Sequence, residues 1–297
     1  MQKLLRDVSD TALMVAMYRA IETRRPDALF KDPFAEKLAG ERGKKIIEYI
    51  PKNFIGGWSI VIRTIIIDNF IKSCIKNGVD TVLNLGAGLD TRPYRMGLPS
   101  TLRWVEVDFP HIIKYKKKLL KKEKPNCVLL QIELDLEDQK TRQKLFKKIN
   151  TDSKKILVLT EGVILYLSPQ KVADLARDLG MFQNYQYWIV DYFSPEAMRH
   201  RPKGDQMNNV SFNFFPETEW FDFFKQNGWG LKDIRYLSEE GRRLKRANPL
   251  PLSVKIKTII RAIISLQILR GEFNRFIGYA ILHPVKSQEF GSKLEIQ

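Results

Sequence analysis

The chain has 297 residues, 44% of them hydrophobic, which is enough to bury the core of one large domain. Its 50 basic and 34 acidic residues give a net charge of +16, which favours an anionic small molecule, a nucleic acid or a membrane surface as partner. The first residues lack the apolar core of a signal peptide, and no segment offers the roughly 20 uninterrupted apolar residues of a membrane span. We therefore expect a cytoplasmic protein.

The two cysteines are predicted to pack in the core and not to bind a metal. Cys74 and Cys127 lie far apart and have no close Cys or His neighbours, so zinc ligation of the usual spacing is excluded. We expect both to be buried as small apolar side chains and expect no metal site.

The first part of the chain, residues 1–78, predicts a helical cap. The run TALMVAMYRAIE carries apolar residues at helical spacing. Helix breakers divide the segment further, and we expect separate helices between them. These breakers are Pro26, Pro33, Pro51 and the pair Gly56-Gly57.

Residues 79–194 predict a core of parallel strands joined by helices, because short apolar runs alternate there with basic, helix-like segments. The five predicted strands are Thr81–Leu85, Leu102–Asp108, Cys127–Glu133, Ile156–Thr160 and Tyr187–Tyr192. The lysine-rich run Lys114–Lys124 is interpreted as the solvated face of one of the helices. Nucleic-acid binding stays open, although no RNA-binding signature or zinc finger accompanies the charge.

Residues 195–297 predict a substrate lid and the last strands. A helix is expected in ETEWFDFFKQNG, and strands are expected in LKDIRYL and FIGYAILHPV. Val254–Arg270 could be a lid, a packed helix or an interfacial membrane helix, and the aromatic run SFNFFPETEWFDFF could pack in the core or line an acceptor pocket. The whole chain therefore predicts one domain, an α/β, Rossmann-like, doubly wound, mostly parallel seven-stranded sheet with an N-terminal helical cap and C-terminal lid insertions.

A glycine turn follows the first predicted strand. Gly86-Ala87-Gly88 would let the backbone approach a ligand closely. A dinucleotide-binding fingerprint needs a third glycine at the position occupied by Thr91, which argues against a dehydrogenase.

Acidic residues stand at the ends of the next strands. Asp108 lies about 20 residues beyond the glycine turn, where a carboxylate can accept hydrogen bonds from ribose hydroxyls. Glu106 is the alternative acceptor, because strand alternation places it on the same face. Asp135 and Glu161 end the third and fourth strands and would face the same cleft, unless they are solvated loop or cap residues.

This set of carboxylates suits S-adenosylmethionine, which carries a sulfonium, an ammonium and a carboxylate but no phosphate. One cation is needed for its carboxylate, and Arg63 is the candidate because it is a lone cation in an otherwise apolar helix and its guanidinium can bind a carboxylate through two nitrogens. Alternatively, Arg63 pairs with Asp68 or lies on the surface.

The order of these motifs resembles the leucine carboxyl methyltransferase family, and the opening segment is closer to its bacterial, polyketide O-methyltransferase-like branch. The matching motifs are Arg63-Thr64, NLGAGLDTR at 84–92, EVDFP at 106–110, LDL at 134–136 and TEGVILYLSP at 160–169. The resemblance implies S-adenosylmethionine as cofactor, with Arg63 on its carboxylate, Gly86, Ala87 and Gly88 along the methionine and ribose, Asp108 on the ribose, Asp135 and Leu136 at the adenine and Glu161 near the amino group.

The chain departs from the branch of the family that methylates protein C-termini. Those enzymes have an arginine directly after the Asp-Leu pair, and here that position is Glu137. Their lysine near the N-terminus has no clear match either. We therefore expect a small-molecule acceptor, methylated on a carboxylate or hydroxyl oxygen, with a protein carboxylate or tRNA as the macromolecular alternative and a cofactor-binding module without turnover as the third.

Residues for the acceptor are less specific. Tyr166 could orient the acceptor oxygen or pack at the start of a helix, and His200 is the best placed of three histidines, the others being His111 and His283. Four arginines form a group of candidate anchors for an anionic acceptor: Arg19, Arg92, Arg199 and Arg201. The sequence leaves the oligomeric state open.

Overall fold

The computed structural model describes residues 8–50, 55–199, 212–246, 248 and 275–285. Helices α1 (Val8–Arg24), α2 (Ala35–Glu48) and α3 (Ile55–Lys76) precede the first strand, as the sequence predicts. The predicted break at Gly56-Gly57 is wrong, because both residues lie in the first turn of α3. Gly57 instead lets the Tyr18 ring of α1 lie against the α3 backbone, in space that a side chain would fill.

A seven-stranded sheet follows in the order β3-β2-β1-β4-β5-β7-β6. Strands β1 to β5 run parallel, and β7 is antiparallel to both of its neighbours. The strands are β1 (Thr81–Leu85), β2 (Arg103–Asp108), β3 (Val128–Glu133), β4 (Ile156–Thr160), β5 (Tyr185–Phe193), β6 (Trp229–Tyr236) and β7 (Ile277–Pro284). The predicted fold class and all seven predicted strands are confirmed.

Helices connect the strands, and side-chain caps begin some of them. Asp138 accepts a hydrogen bond from Thr141 at the start of α6, and Ser168 accepts one from Lys171 at the start of α7. These helices are α4 (Arg92–Arg95), α5 (Pro110–Leu119), α6 (Gln139–Thr151), α7 (Pro169–Gly180), α8 (Pro195–Arg199), α9 (Trp220–Gln226) and α10 (Leu237–Arg243). A 3₁₀ turn at Ile164–Tyr166 follows β4.

Strand alternation divides the core between the two faces of the sheet. Leu83 and Val105 point to a cluster with α6, α7 and α9, and Val82 and Trp104 point to a cluster with α3. Both faces are therefore covered, which explains why β1 and β4 are buried at every residue.

Several sequence-based interpretations concern packing. The aromatic run after residue 211 belongs to the core, where Phe214, Trp220 and Phe224 are buried together. Both cysteines are buried and free, as expected. In the described part of the chain, no helix is long and apolar enough to cross a membrane, and no cluster of side chains suits a metal ion. Val254–Arg270 lies outside the described residues.

Candidate cofactor site

A cavity of about 480 Å³ opens where the chain changes direction across the sheet, which is within the usual size of small-ligand pockets. Strand β1 pairs with β2 on one side and with β4 on the other, so the connections after these strands diverge at their carboxyl ends. Open α/β sheets bind ligands at such a switch point. All the described candidate residues for the cofactor line this cavity: Arg63, Gly86, Ala87, Gly88, Asp108, Asp135, Leu136 and Glu161.

The glycine turn after β1 has the backbone that only glycine adopts readily. Gly86 has φ +66° and Gly88 has φ +51°, both in the left-handed region. The N–H groups of Gly86 and Ala87 donate to Val107 O of β2 at 2.8 and 3.1 Å, which fixes the turn to the sheet. A methyl group at Gly86 would overlap the Val163 side chain, so the absence of a side chain lets Val163 pack against the turn.

Asp108 and Glu106 have different environments, although they share one face of β2. Asp108 is partly exposed to the cavity and accepts a hydrogen bond from Gly88 N at 2.6 Å. Glu106 is fully buried, with Lys116 Nζ at 2.6 Å and Gln131 Nε2 at 2.9 Å. Glu106 as the alternative ribose acceptor is therefore wrong, because its two oxygens are already bound away from the cavity.

Arg63 of α3 reaches the cavity and faces Glu161, not Asp68. Its Nε lies 2.9 Å from Glu161 Oε1, and the Tyr279 hydroxyl is a hydrogen-bonded neighbour. Burial would lower the pKa of Arg63, but Tyr279, Glu161 and Asp191 outweigh this effect and raise it, so the guanidinium stays charged. Nevertheless, the angle to Glu161 is unsuitable for a hydrogen bond, and the buried Nε–H has no acceptor among the described residues. Such a donor fits an incoming carboxylate.

Glu161 is shared between two arginines. Arg92 Nη1 donates to its Oε2 at 2.8 Å, while Arg63 lies at Oε1. Burial alone would raise the pKa of Glu161, but the charges of Arg92 and Arg63 lower it below its usual value. The carboxylate is therefore ionised at neutral pH and able to accept from an ammonium group.

The loop after β3 presents Asp135, Leu136 and Glu137 to the cavity. Asp135 Oδ1 accepts a hydrogen bond from Glu137 N at 2.9 Å, which orients the loop. The Leu136 carbonyl accepts from Arg142 at 2.6 Å. Glu137 pairs with Lys171 at 2.6 Å, so this wall carries a neutralised carboxylate where protein-carboxylate methyltransferases have an arginine.

Another part of the wall comes from α1. Thr11, Ala12, Val15 and Arg19 line the cavity at helical spacing, and of these four only Arg19 was a candidate from the sequence, as an anchor for the acceptor. Arg19 is already paired with Asp32 at 2.8 Å. The recurrence of these residues every three or four positions was the available signal, but it also fits ordinary core packing.

Candidate residues for the acceptor lie in different places. Tyr166 lines the cavity, and its ring packs edge-on against Phe212 with centroids 5.3 Å apart. His111 also lines it, with Nε2 3.0 Å from Ser9 Oγ. His200 and Arg201 lie outside the described residues, as does the side chain of Arg199.

Together, the switch-point cavity, the glycine turn and the acidic strand ends define a nucleoside-binding α/β protein. The profile of the leucine carboxyl methyltransferase family matches residues 12–180, which is more than half of the chain. The protein belongs to the leucine carboxyl methyltransferase family, as the order of its motifs predicts.

Relatives share this region most clearly. A Streptomyces coelicolor protein is 34% identical over 138 residues, covering 43% of this chain and 49% of that protein. A Frankia alni protein is 31% identical over 181 residues, covering 57% and 63%. A Mycolicibacterium paratuberculosis protein is 27% identical over 272 residues, covering 79% and 88%. All three are provisionally named S-adenosyl-L-methionine-dependent methyltransferases, and the chain spans only about half to two thirds of the first two.

Solved structures share the fold across nearly the whole chain. A DUF574 family protein from Streptomyces avermitilis has a TM-score of 0.57 at 13% identity, covering 91% of this chain and 97% of that one. A Thermobifida fusca protein, provisionally assigned as a methyltransferase, has a TM-score of 0.56 at 14% identity, covering 93% and 94%. These similarities establish the α/β architecture.

Proposed function

We propose that the protein is a cytoplasmic S-adenosylmethionine-dependent methyltransferase that methylates an oxygen of a small-molecule acceptor. One observation carries the proposal: the eight cofactor residues expected from the sequence line a single cavity at the switch point of the sheet. The names of the family's relatives support the cofactor and the methyl-transfer reaction.

Each part of the cofactor has a chemical counterpart in the wall. Arg63 binds the carboxylate through its buried, unsatisfied Nε–H, and Glu161 accepts from the ammonium. Asp108 accepts from the ribose hydroxyls, while Gly86 and Gly88 allow close approach of the backbone. On the loop after β3, Asp135 and Leu136 line the cavity, and we assign them to the adenine.

S-adenosylmethionine supplies a methyl group that is already activated by the neighbouring sulfonium. The protein has to hold the acceptor oxygen in line with that methyl group and exclude water. Tyr166, at the cavity wall, orients the acceptor oxygen through its hydroxyl, and His200 is a second candidate for that role. A carboxylate acceptor is ionised at neutral pH and needs no general base, whereas a hydroxyl acceptor does.

A macromolecular acceptor is the second candidate. Lys117, Lys118, Lys121 and Lys122 are exposed on or just after α5, the helix that begins beside the cavity. A tRNA complex whose affinity falls steeply with salt would favour this alternative. Against a protein C-terminus stands Glu137, which is paired with Lys171.

Calorimetry with S-adenosylhomocysteine and with NAD tests the cofactor. We expect binding of S-adenosylhomocysteine only, and NAD binding alone would refute the proposal.

Incubation with methyl-labelled S-adenosylmethionine and fractionated cell extract then tests the acceptor. We expect label in the small-molecule fraction, with release of labelled methanol in mild alkali if the product is a methyl ester. Label in protein or RNA would support the second candidate, and no label in any fraction would indicate a binding module without turnover.

A further inference from the structure

Arg92 is a buried residue of the cavity wall that forms ion pairs with three carboxylates. Its side chain is only 3% exposed and lies among three carboxylates. Its Nε donates to Asp68 Oδ1 at 2.7 Å, and its Nη1 donates to Asp90 Oδ2 at 2.9 Å and to Glu161 Oε2 at 2.8 Å. Its own backbone N–H also donates to Asp90 Oδ1 at 2.9 Å, which fixes the start of α4 to the same carboxylate.

The two oxygens of Glu161 therefore have different partners. Oε2 takes a well-formed hydrogen bond from Arg92, whereas Oε1 faces Arg63 at 2.9 Å without one. The contact with Arg92 is internal to the fold, since Arg92 is also held by Asp68 and Asp90. The contact with Arg63 is an ion pair that an incoming ligand can replace without breaking a hydrogen bond of that Nε–H.

We propose that Arg92 is a positioning residue that fixes Glu161 through Oε2, so that Oε1 exchanges Arg63 for the ammonium group of a bound amino-acid ligand. The inference rests on the proposed function. It gives Arg92 a role in cofactor binding, whereas the sequence suggested Arg92 only as an anchor for the acceptor. In the exchange, Arg63 turns to the ligand carboxylate while Glu161 keeps a cation on each oxygen. The number of buried charges without a partner stays constant.

Electrostatics explain why an arginine is needed at this position. Burial and the Asp90 charge raise the pKa of Glu161, burial raises that of Asp90, and the Arg92 charge is the largest opposing influence on both carboxyl groups. A guanidinium can donate in several directions within one plane, whereas an ammonium is a point charge on a flexible stem. Lysine would keep the charge but would not hold three carboxylates in fixed positions.

The experiment compares two ligands that differ in the amino-acid group. S-adenosylhomocysteine carries the ammonium and carboxylate, whereas methylthioadenosine keeps the adenosine and thioether without them. Arg92→Lys should weaken S-adenosylhomocysteine at least about tenfold, the range for losing a well-placed hydrogen bond to a charged group, and should change methylthioadenosine by less than about twofold. Calorimetry measures both affinities.

Arg95→Lys is the matched control. Arg95 is buried one turn further on and pairs with Asp68, and neither of its described ion pairs involves Glu161. We expect it to change the affinity for the two ligands by a common factor. If Arg92→Lys also weakens both ligands equally, or weakens neither, Arg92 has only a structural role and the inference is wrong.

The pH profile separates positioning from general stability. In the wild type, Glu161 stays ionised between pH 5.5 and 8. Protonation of Glu161 should therefore contribute little to any change in S-adenosylhomocysteine affinity over this range. In Arg92→Lys, the less shielded carboxyl should take up a proton as pH falls, and affinity should decline at the acidic end. Burial raises the pKa of Asp191, a neighbour of Arg63 and Glu161, to about 6 in the wild type, so the readout is the difference between the two profiles, and identical profiles would contradict the proposal.

Folding and ligand identity have their own controls. If Arg92→Lys does not fold, the double variant Arg92→Met/Asp90→Asn removes one positive and one negative charge together and leaves Asp68 paired with Arg95 and Glu161 with Arg63, so it avoids a new unpaired buried charge. It should show the same selective loss of S-adenosylhomocysteine. A wild-type protein that binds neither ligand would refute the proposed function, while one that binds both without selective loss in either variant would refute only the role of Arg92.

Discussion

Asp108 Oδ2 accepts a hydrogen bond of 2.6 Å from the backbone N–H of Gly88, which ties the end of β2 to the turn after β1. The other oxygen, Oδ1, accepts from Phe109 N at 2.7 Å. Burial raises the pKa of Asp108, and these two donors oppose the shift because they bind the ionised form. The carboxylate is thus held in one orientation at the cavity wall before any ligand arrives.

Replacement of Asp108 by alanine should lower the affinity for S-adenosylhomocysteine by about tenfold to a hundredfold, because hydrogen bonds to a carboxylate contribute about 1.5–3 kcal/mol. Calorimetry gives the affinity directly. Glu133→Gln is the control, since Glu133 is an exposed carboxylate at the end of the neighbouring strand and pairs with Lys114. Equal losses in the two variants would mean that Asp108 has no special role.

Gly86→Ala should destabilise the protein by about 1–3 kcal/mol, because alanine is strained at φ +66° and its methyl group would also overlap Val163. Urea unfolding measures the loss. Gly97→Ala is the matched control, because a methyl group there meets no atom within 4 Å, and its free energy of unfolding should change by less than about 0.5 kcal/mol. If Gly86→Ala is as stable as Gly97→Ala, the turn does not require glycine.

Lys116→Met should destabilise the protein by about 3–5 kcal/mol, because it leaves Glu106 buried without its cation. The double variant Lys116→Met/Glu106→Gln should recover most of this loss, as measured by urea unfolding. Both variants, where folded, should bind S-adenosylhomocysteine with wild-type affinity. A loss of affinity in the double variant would return Glu106 to the list of ribose acceptors.

Asp191 should make stability depend on pH. Burial raises its pKa to about 6, although Arg63 and the N–H of Gly162 oppose the shift, and the ordinary value is 3.8. The folded protein therefore holds this proton more tightly than the unfolded chain, so the stabilisation is complete below about pH 4 and is lost as pH rises through 6. Relative to Asp191→Asn, the wild type should lose about 2–3 kcal/mol between pH 4 and 7 in urea unfolding. A constant difference across that range would contradict the prediction.

The sheet and most of the site follow from local sequence. The bounds of β1 and β4 agree with the prediction, because fully buried strands are short, mostly apolar runs. The cavity residues stand at strand ends, and parallel strands bring their carboxyl ends to one edge. Asp108 and Glu161 were therefore predictable from order along the chain alone.

Contacts between distant elements were not predictable. An arginine such as Arg92 is usually found on the surface. Its burial was not predictable, because only the fold brings Asp68 and Glu161 next to it. Glu106 and Asp108 share a face by alternation, but α5 covers the first with Lys116 and leaves the second open. The Gly57 prediction failed because close packing against Tyr18 has no signal in the local sequence.

The antiparallel pairing of β6 with β7 has a consequence for the connection between them. The chain leaves β6 at Tyr236 and enters β7 at Ile277, and both ends lie at the edge of the sheet where β5 finishes, the side on which the cavity opens. The connection between these two strands can change in length or sequence without disturbing any strand pair. The family profile ends at residue 180, before this hairpin. A change in the length of this connection would therefore leave the described cavity wall, which takes no residue from it, unaltered.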